Sequence, residues 1–145
     1  MKDEYRSAFY DVVKETQAKT GFDLPEQLEA YVVMLLAYNI DRPNFLPEDS
    51  FAEAYLRLQR PADMTAKELG DTCLFVSGVF PTYGNRRGLK RSYFQNIGVV
   101  SYEMVAEVMH RDLFTQLAHH FHFLSDFIDE ATHSKNKPAF RGGLV

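Results

Sequence analysis

The sequence predicts an all-α protein, a compact single-domain bundle of about six helices. Three observations support this prediction. Apolar residues recur at spacings of three and four residues through nearly the whole chain. Residues that start or end helices, such as Thr, Asp, Pro and Gly, stand at the borders of these segments. No alternation of apolar and polar residues lasts longer than a few positions, which argues against β-strands.

The first two helices are predicted over about residues 2–19 and 23–39. Gly21 should end the first, because glycine accepts the left-handed conformation that closes a helix. Asp23 and Glu26 have the spacing of a capping box, with a proline between them that suits a first helical turn. The second helix is apolar nearly all round, which predicts a central position in the fold.

The third and fourth helices are predicted over about residues 47–61 and 65–79. Prolines stand at both ends of the third, and acidic residues in its first turn suit the helix dipole. Thr65 and Glu68 form a capping box for the fourth, which we also expect at the centre. Its small residues allow another helix to approach closely: Gly70, Cys73, Ser77 and Gly78.

The fifth and sixth helices fill most of the remaining chain. Ser92 is the predicted cap of the fifth, with Gln95 at the capping-box position. The sixth is predicted over about residues 112–134 and carries one long apolar stripe. A break near His110 and Arg111 is expected, although the pattern also permits one continuous helix. We expect a single helical domain over residues 1–134 and a loosely held tail over residues 135–145.

Length, composition and charge are those of one ordinary globular domain. The chain has 145 residues, of which 46% are hydrophobic and 25% charged, and its net charge is -4. This acidic balance argues against nucleic acid as a partner.

The longest apolar run, residues 30–38, is shorter than the roughly 20 residues of a membrane span. With no signal-like start, we expect a cytoplasmic protein that does not bind a membrane.

The loop over residues 83–91 is the first candidate site. Four of the six residues from 86 to 91 are Arg or Lys, and they precede a helix N-terminus, which favours anions. A phosphate, a carboxylate or an acidic segment of a partner would suit this loop. The alternative is a solvated loop whose arginines pair with acidic residues of the first three helices. The predicted ligand-binding residues are Tyr83, Arg86, Arg87, Lys90 and Arg91.

Histidines and carboxylates of the sixth helix form a second candidate. On one continuous helix, His119, His122 and Asp126 share a face, which is the arrangement that metal ligands need. That face lies opposite the apolar stripe, so we expect it to face solvent and assign no metal to it. Glu103 and Glu107 are the nearest carboxylates outside this helix. A metal-dependent enzyme is therefore the least favoured hypothesis.

Sequence motifs of catalytic families are absent. The chain contains no G-x-S-x-G, no P-loop, no G-x-G-x-x-G and no H-E-x-x-H. The single cysteine, Cys73, excludes an internal disulfide, and its apolar neighbours predict a core residue and not a reactive thiolate. We therefore favour a non-enzymatic protein with no catalytic residue and no cofactor.

One part of the chain, within residues 70–105, resembles a group of known proteins. The segment from Cys73 to Pro81, the triplet from Arg86 to Gly88, and Ser92-Tyr93-Phe94 are similar to small uncharacterised all-helical bacterial proteins. The resemblance implies a bacterial helical protein. It implies no activity, cofactor or catalytic residue.

Two functional hypotheses remain open. In the first, the protein acts by association with a protein partner or with a second copy of itself. In the second, it binds a small anionic ligand through residues 83–91. An enclosed pocket beside that loop would favour the second hypothesis, and a flat, exposed loop would favour the first.

Overall fold

The computed structural model describes residues 3–40 and 65–133. Within these residues the chain forms six α-helices and no strand, so the predicted all-α class is confirmed. The predicted third helix, residues 47–61, and the tail over residues 135–145 lie outside the described residues. None of the helices in the described ranges is long and apolar enough to cross a bilayer. The helices are α1 (Asp3–Thr20), α2 (Glu26–Asn39), α3 (Ala66–Val79), α4 (Arg91–Ala106), α5 (Arg111–His119) and α6 (Phe121–His133).

Two of the predicted helix borders are confirmed. Gly21 has a φ of 78°, and its N–H donates to the Gln17 carbonyl at 2.9 Å, which closes α1. At the start of α3, the Glu68 N–H donates to Thr65 Oγ1 at 3.1 Å, and the Thr65 N–H donates to Glu68 Oε1 at 2.9 Å. This is the reciprocal capping box that the sequence predicts.

Two other predicted caps are wrong. Asp23 does not cap α2, because the chain stays extended through Pro25 (φ -53°, ψ 146°) and the helix begins only at Glu26. Ser92 does not cap α4, because the helix begins at Arg91 and its N-cap is Lys90. Gln95 is buried, and its side chain bonds to α6 and not to the helix start.

The predicted sixth helix is in fact two helices. His110 has a left-handed backbone (φ 41°, ψ 55°) and directly precedes α5, so the break expected there is confirmed. A second break lies at His120, where φ is -100° and ψ is 17°. No proline or glycine stands there. Phe114 and Leu117 before this break, and Phe121 after it, are all buried, so both segments keep their apolar sides on the core.

The core is centred on α3. Every residue of α3 from Cys73 to Val79 is buried, and the helix packs along both α4 and α6. In contrast, α2 packs mainly against α1, and its Met34 and Tyr38 side chains are 43% and 54% exposed. The predicted central position is therefore found for α3, whereas α2 buries one side and exposes the other within the described part of the chain. Most helix contacts join neighbours in the chain: α1 with α2, α3 with α4, and α4 with α5.

Close contact between α4 and its neighbours depends on residues without bulky side chains. A Cβ added at Gly98 would overlap the ring of Phe121, which is completely buried, and would lie 3.1 Å from the Cβ of Cys73. On α3, a Cβ at Gly70 would lie 2.7 Å from the Tyr102 ring. The predicted close approach of another helix at the small residues of α3 is thus found at Gly70.

Candidate functional site

The loop between α3 and α4 contains a short 3-10 helix, Asn85–Arg87, within a segment that we call the basic turn, residues 82–90. Gly84 and Gly88 flank the 3-10 helix with φ values of 93° and 74°, a conformation that favours glycine. The Arg87 and Leu89 N–H groups both donate to the Gly84 carbonyl, at 2.8 and 3.0 Å. These backbone bonds give the turn a defined conformation.

Aromatic packing fixes the basic turn to α4. The rings of Tyr83 and Phe94 have centroids 5.6 Å apart, and Phe94 is buried. Leu89 is half-buried and packs against the core. Tyr83, which is predicted as a ligand-binding residue, is thus half-buried. Its ring packs against α4 and connects the turn to that helix.

Three of the predicted cationic residues extend from the turn into solvent. Arg86, Arg87 and Lys90 are all exposed. None of the three forms an ion pair with any acidic side chain of the described ranges. The alternative of a loop neutralised by acidic residues of the first helices is therefore not seen in residues 3–40.

Arg91, the fourth predicted cation, has a structural role. Its Nε donates to the Ser77 carbonyl at 2.7 Å, near the C-terminal end of α3. Its Nη1 pairs with Asp126 Oδ1 at 2.8 Å, and its Nη2 donates to Ser125 Oγ at 2.9 Å. The planar guanidinium of Arg91 thus joins α3 to α6. Its positive charge lies beside the last carbonyl groups of α3, where the helix dipole favours a cation. Arg91 is thus engaged within the protein, and its assignment to a ligand site stays a prediction.

The buried serines beside Arg91 complete this connection between helices. Ser125 Oγ donates to Ser77 Oγ at 3.0 Å and accepts from Gln95 Nε2 at 3.2 Å. Ser77 and Ser125 are 1% and 0% exposed, so both hydroxyls depend on partners within the protein. Ser77 Oγ also donates to the Leu74 carbonyl at 3.4 Å, and Ser125 Oγ accepts from Arg91. The cluster holds α3, α4 and α6 together.

The candidate metal ligands do not lie on one helix face. His119 ends α5, whereas His122 and Asp126 lie on α6 beyond the break at His120. Asp126 is already paired with Arg91. Among the described residues, no three His, Cys, Asp or Glu side chains are grouped so as to hold a metal ion. The shared face that motivated these candidates assumed a continuous helix and is absent.

Sequence reasoning missed a carboxylate–tyrosine cluster between α2, α3 and α4. The hydroxyls of Tyr31 and Tyr102 both donate to Asp71 Oδ1 at 2.6 Å. Lys67 Nζ pairs with Asp71 Oδ2 at 2.9 Å and lies 5.6 Å from the centroid of the Tyr31 ring. The Lys67–Asp71 spacing is visible in the sequence as a helical pair. The two tyrosines come from helices that only the tertiary fold brings together.

Burial changes the acidity of both phenols. It raises the pKa of Tyr31 and of the completely buried Tyr102 well above the usual range, and the negative charge of Asp71 raises both further. Burial likewise raises the pKa of the Cys73 thiol, which is 0% exposed. All three groups are therefore neutral in the folded protein at any physiological pH.

These raised pKa values predict a loss of stability in alkali. In the unfolded chain the tyrosines lose their protons near pH 10, whereas the folded protein retains them. A group whose folded pKa is raised contributes fully below its unfolded pKa, so the free energy of unfolding should fall above about pH 10. The slope approaches about 1.4 kcal/mol per pH unit for each tyrosine. Urea unfolding between about pH 8 and pH 11 measures it.

A double variant, Tyr31→Phe/Tyr102→Phe, is the control for the alkaline effect. The exposed tyrosines Tyr10 and Tyr38 remain in it unchanged. The variant should show a shallower decline above about pH 10 than the wild type. Equal slopes in the two proteins would contradict the assignment of the effect to this cluster.

Two surface cavities are lined by described residues. One, of about 330 Å³, lies between α2 and the start of α5, beside Gln27 and Leu113. The other, of about 300 Å³, lies between α4 and α5. Neither of these two cavities includes a residue of the basic turn.

Comparison with known proteins gives no relative. No family model matches the chain, and no curated protein or solved structure shows significant similarity to it. The resemblance of residues 70–105 to small bacterial helical proteins stays a prediction. Support for a function comes from the geometry of the described side chains.

Proposed function

We propose that this chain is a non-enzymatic binding protein that recognises an acidic segment of a partner through the basic turn. The partner is another protein or a second copy of the chain. The observation that carries the proposal is the set of three exposed cations, Arg86, Arg87 and Lys90, on a turn of fixed conformation and without acidic partners in the described ranges. We place the protein in the cytoplasm, since its one cysteine is a buried thiol.

The fixed backbone of the turn favours binding. Hydrogen bonds and two left-handed glycines hold the turn before any partner arrives, so association costs less conformational entropy than ordering a flexible loop. Adjacent exposed cations attract an acidic segment over a distance of about 10 Å at moderate salt. Such charge complementarity contributes mainly to association rate and specificity.

An extended partner segment suits this surface better than a small enclosed ligand. Small-molecule sites are concave and bury most of the ligand. The two cavities described above lie elsewhere, and Arg91 is bound to α3 and α6. Exposure of the remaining cations supports the first of the two hypotheses made from the sequence.

A labelled poly-glutamate peptide tests the basic turn directly. We expect salt-sensitive binding by the wild type, and the variant Arg86→Ala/Arg87→Ala should raise Kd about tenfold, or about 1.4 kcal/mol. The control Arg6→Ala/Lys19→Ala removes the same charge from exposed ion pairs of α1. It should bind as the wild type does. Equal weakening in both variants would show that net charge alone governs binding, against the proposal.

Inorganic phosphate distinguishes the small-anion alternative. A ligand that binds only the folded state raises Tm in a saturable way, whereas general exclusion from the protein surface gives a steady increase. Under the proposal, phosphate should stabilise the wild type and Arg86→Ala/Arg87→Ala equally. A saturable component present only in the wild type would favour a small anion as the ligand.

Sedimentation of the protein alone distinguishes a second copy from a different partner. A dimer that dissociates in Arg86→Ala/Arg87→Ala, but not in Arg6→Ala/Lys19→Ala, identifies a second copy as the partner. A monomer that still binds poly-glutamate identifies a different protein.

A further inference from the structure

The junction between α4 and α5 separates two charges that a continuous helix would bring together. Glu107 and Arg111 are four residues apart, the spacing at which opposite charges pair on a helix. Here α4 ends at Ala106, His110 turns the chain with a left-handed backbone, and α5 begins at Arg111. Instead of an ion pair, the junction contains the groove of about 300 Å³ between α4 and α5.

The two sides of this groove carry different charges. Glu103 and Glu107, four residues apart at the end of α4, line it with carboxylates. Arg111, Thr115 and His119 recur every four residues along α5 and therefore share one face of that helix. The small side chains of Ala106 and Ala118 also line the groove and leave the space between the helices open.

The charged groups of the groove are not neutralised by the described protein. The side chains of Glu103, Glu107 and Arg111 form no ion pair or hydrogen bond with any residue of the described ranges. Two carboxylates on one helix and a guanidinium on the other thus line a shared space without contacting each other. A ligand with one positive and one negative end matches this arrangement, whereas a ligand with a single charge leaves one side unmatched.

We propose that the groove between α4 and α5 binds a small zwitterion of the amino-acid class. Its ammonium group binds Glu103 and Glu107, and its carboxylate binds Arg111, whose planar fork pairs with carboxylates through two hydrogen bonds. The Thr115 hydroxyl offers a further donor or acceptor within the groove. The volume suits a small molecule, since it stands at the lower end of the range of about 300–1,000 Å³ for ligand pockets. This site is separate from the basic turn and does not depend on the proposed function.

The test uses probes that differ only in their charges. Glycine and ε-aminocaproate are zwitterions with short and long charge separations, and caproate and hexylammonium each carry one of the two charges. Backbone amide chemical shifts of Thr115 and His119 report binding on α5. We expect at least one zwitterion to shift them saturably, with both single-charge probes binding at least about tenfold more weakly.

Charge-removing variants identify the residues involved. Glu107→Gln and Arg111→Gln should each raise the Kd of the zwitterion about tenfold, whereas Asp112→Asn, an exposed neighbour outside the groove, should leave it unchanged. Unchanged amide shifts outside α4 and α5 in each variant confirm that it is folded. Failure of both zwitterions to bind, equal binding by caproate or hexylammonium, or unaffected binding by the two groove variants would each overturn the proposal.

The variant Arg86→Ala/Arg87→Ala separates this proposal from the proposed function. It should bind the zwitterion as the wild type does, because the basic turn does not line the groove. Loss of zwitterion binding in this variant would overturn the groove site. Loss of poly-glutamate binding alone leaves the groove site intact.

Discussion

Replacing Asp71 with alanine is expected to lower the free energy of unfolding by about 3 kcal/mol. Both phenols that donate to Asp71 Oδ1 would lose this charged acceptor, and Tyr102 is 0% exposed, which limits its access to water. Lys67 would also lose its ion pair, but that side chain is 47% exposed and contributes little. The cost therefore comes mainly from buried hydroxyl groups that have lost their carboxylate acceptor.

Urea unfolding at neutral pH measures the effect, and two further variants assign it. Lys67→Ala should cost less than about 1 kcal/mol, because it removes only the exposed pair. The triple variant Asp71→Ala/Tyr31→Phe/Tyr102→Phe should be more stable than Asp71→Ala alone, since it removes the unsatisfied hydroxyls along with their acceptor. If the triple variant is no more stable than Asp71→Ala, buried phenols are not the cause.

Gly98→Ala is expected to destabilise the protein by about 3 kcal/mol, the upper range for overpacking a core. Alanine is a better helix former than glycine by about 1 kcal/mol, so helix propensity alone predicts the opposite sign. The added Cβ would overlap the Phe121 ring, and that ring is itself enclosed by Tyr102 and other core side chains. The helices must therefore move apart to accommodate one methyl group.

An alanine substitution at an exposed position of α4 separates the effect of core packing from the effect of helix propensity. Asn96 is exposed on α4, and Asn96→Ala should leave stability unchanged or raise it slightly. The double variant Gly98→Ala/Phe121→Leu should cost less than the sum of its two single changes, because the smaller side chain makes room for the methyl group. Thermal or urea unfolding of the wild type and of these four variants completes the comparison. A stability increase in Gly98→Ala similar to that in Asn96→Ala would refute the packing argument.

Patterns within a few residues of the sequence predict those features of the fold that depend on neighbouring residues. The all-α class, the capping box of Thr65 and Glu68, and the termination of α1 at Gly21 each depend on residues within a few positions of one another. The central position of α3 could also be predicted, because its apolar run coincides with small residues. For α2 the same reasoning predicts burial all round, but an apolar composition does not show that Met34 and Tyr38 turn outwards.

Features that depend on distant residues could not be predicted in this way. Arg91 has the same sequence character as Arg86 and Arg87, and only its contacts with Ser125 and Asp126, more than thirty residues later, distinguish its role. The break at His120 has no proline or glycine to mark it, and the apolar stripe continues across it. The interpretation of His119 and His122 as metal ligands on one face requires a helix without this break.

The packing of helices against their neighbours in the chain also bears on how the protein folds. Contacts of α1 with α2, of α3 with α4, and of α4 with α5 require the closure of short connections only. The entropy of loop closure rises with the length of the loop, and chains dominated by local contacts fold fastest. The contact of α3 with α6 joins more distant segments and needs both intervening helices in place. We therefore expect α3 and α4 to associate early in folding. The contacts of Arg91 with Ser125 and Asp126 should form late, after the transition state of folding.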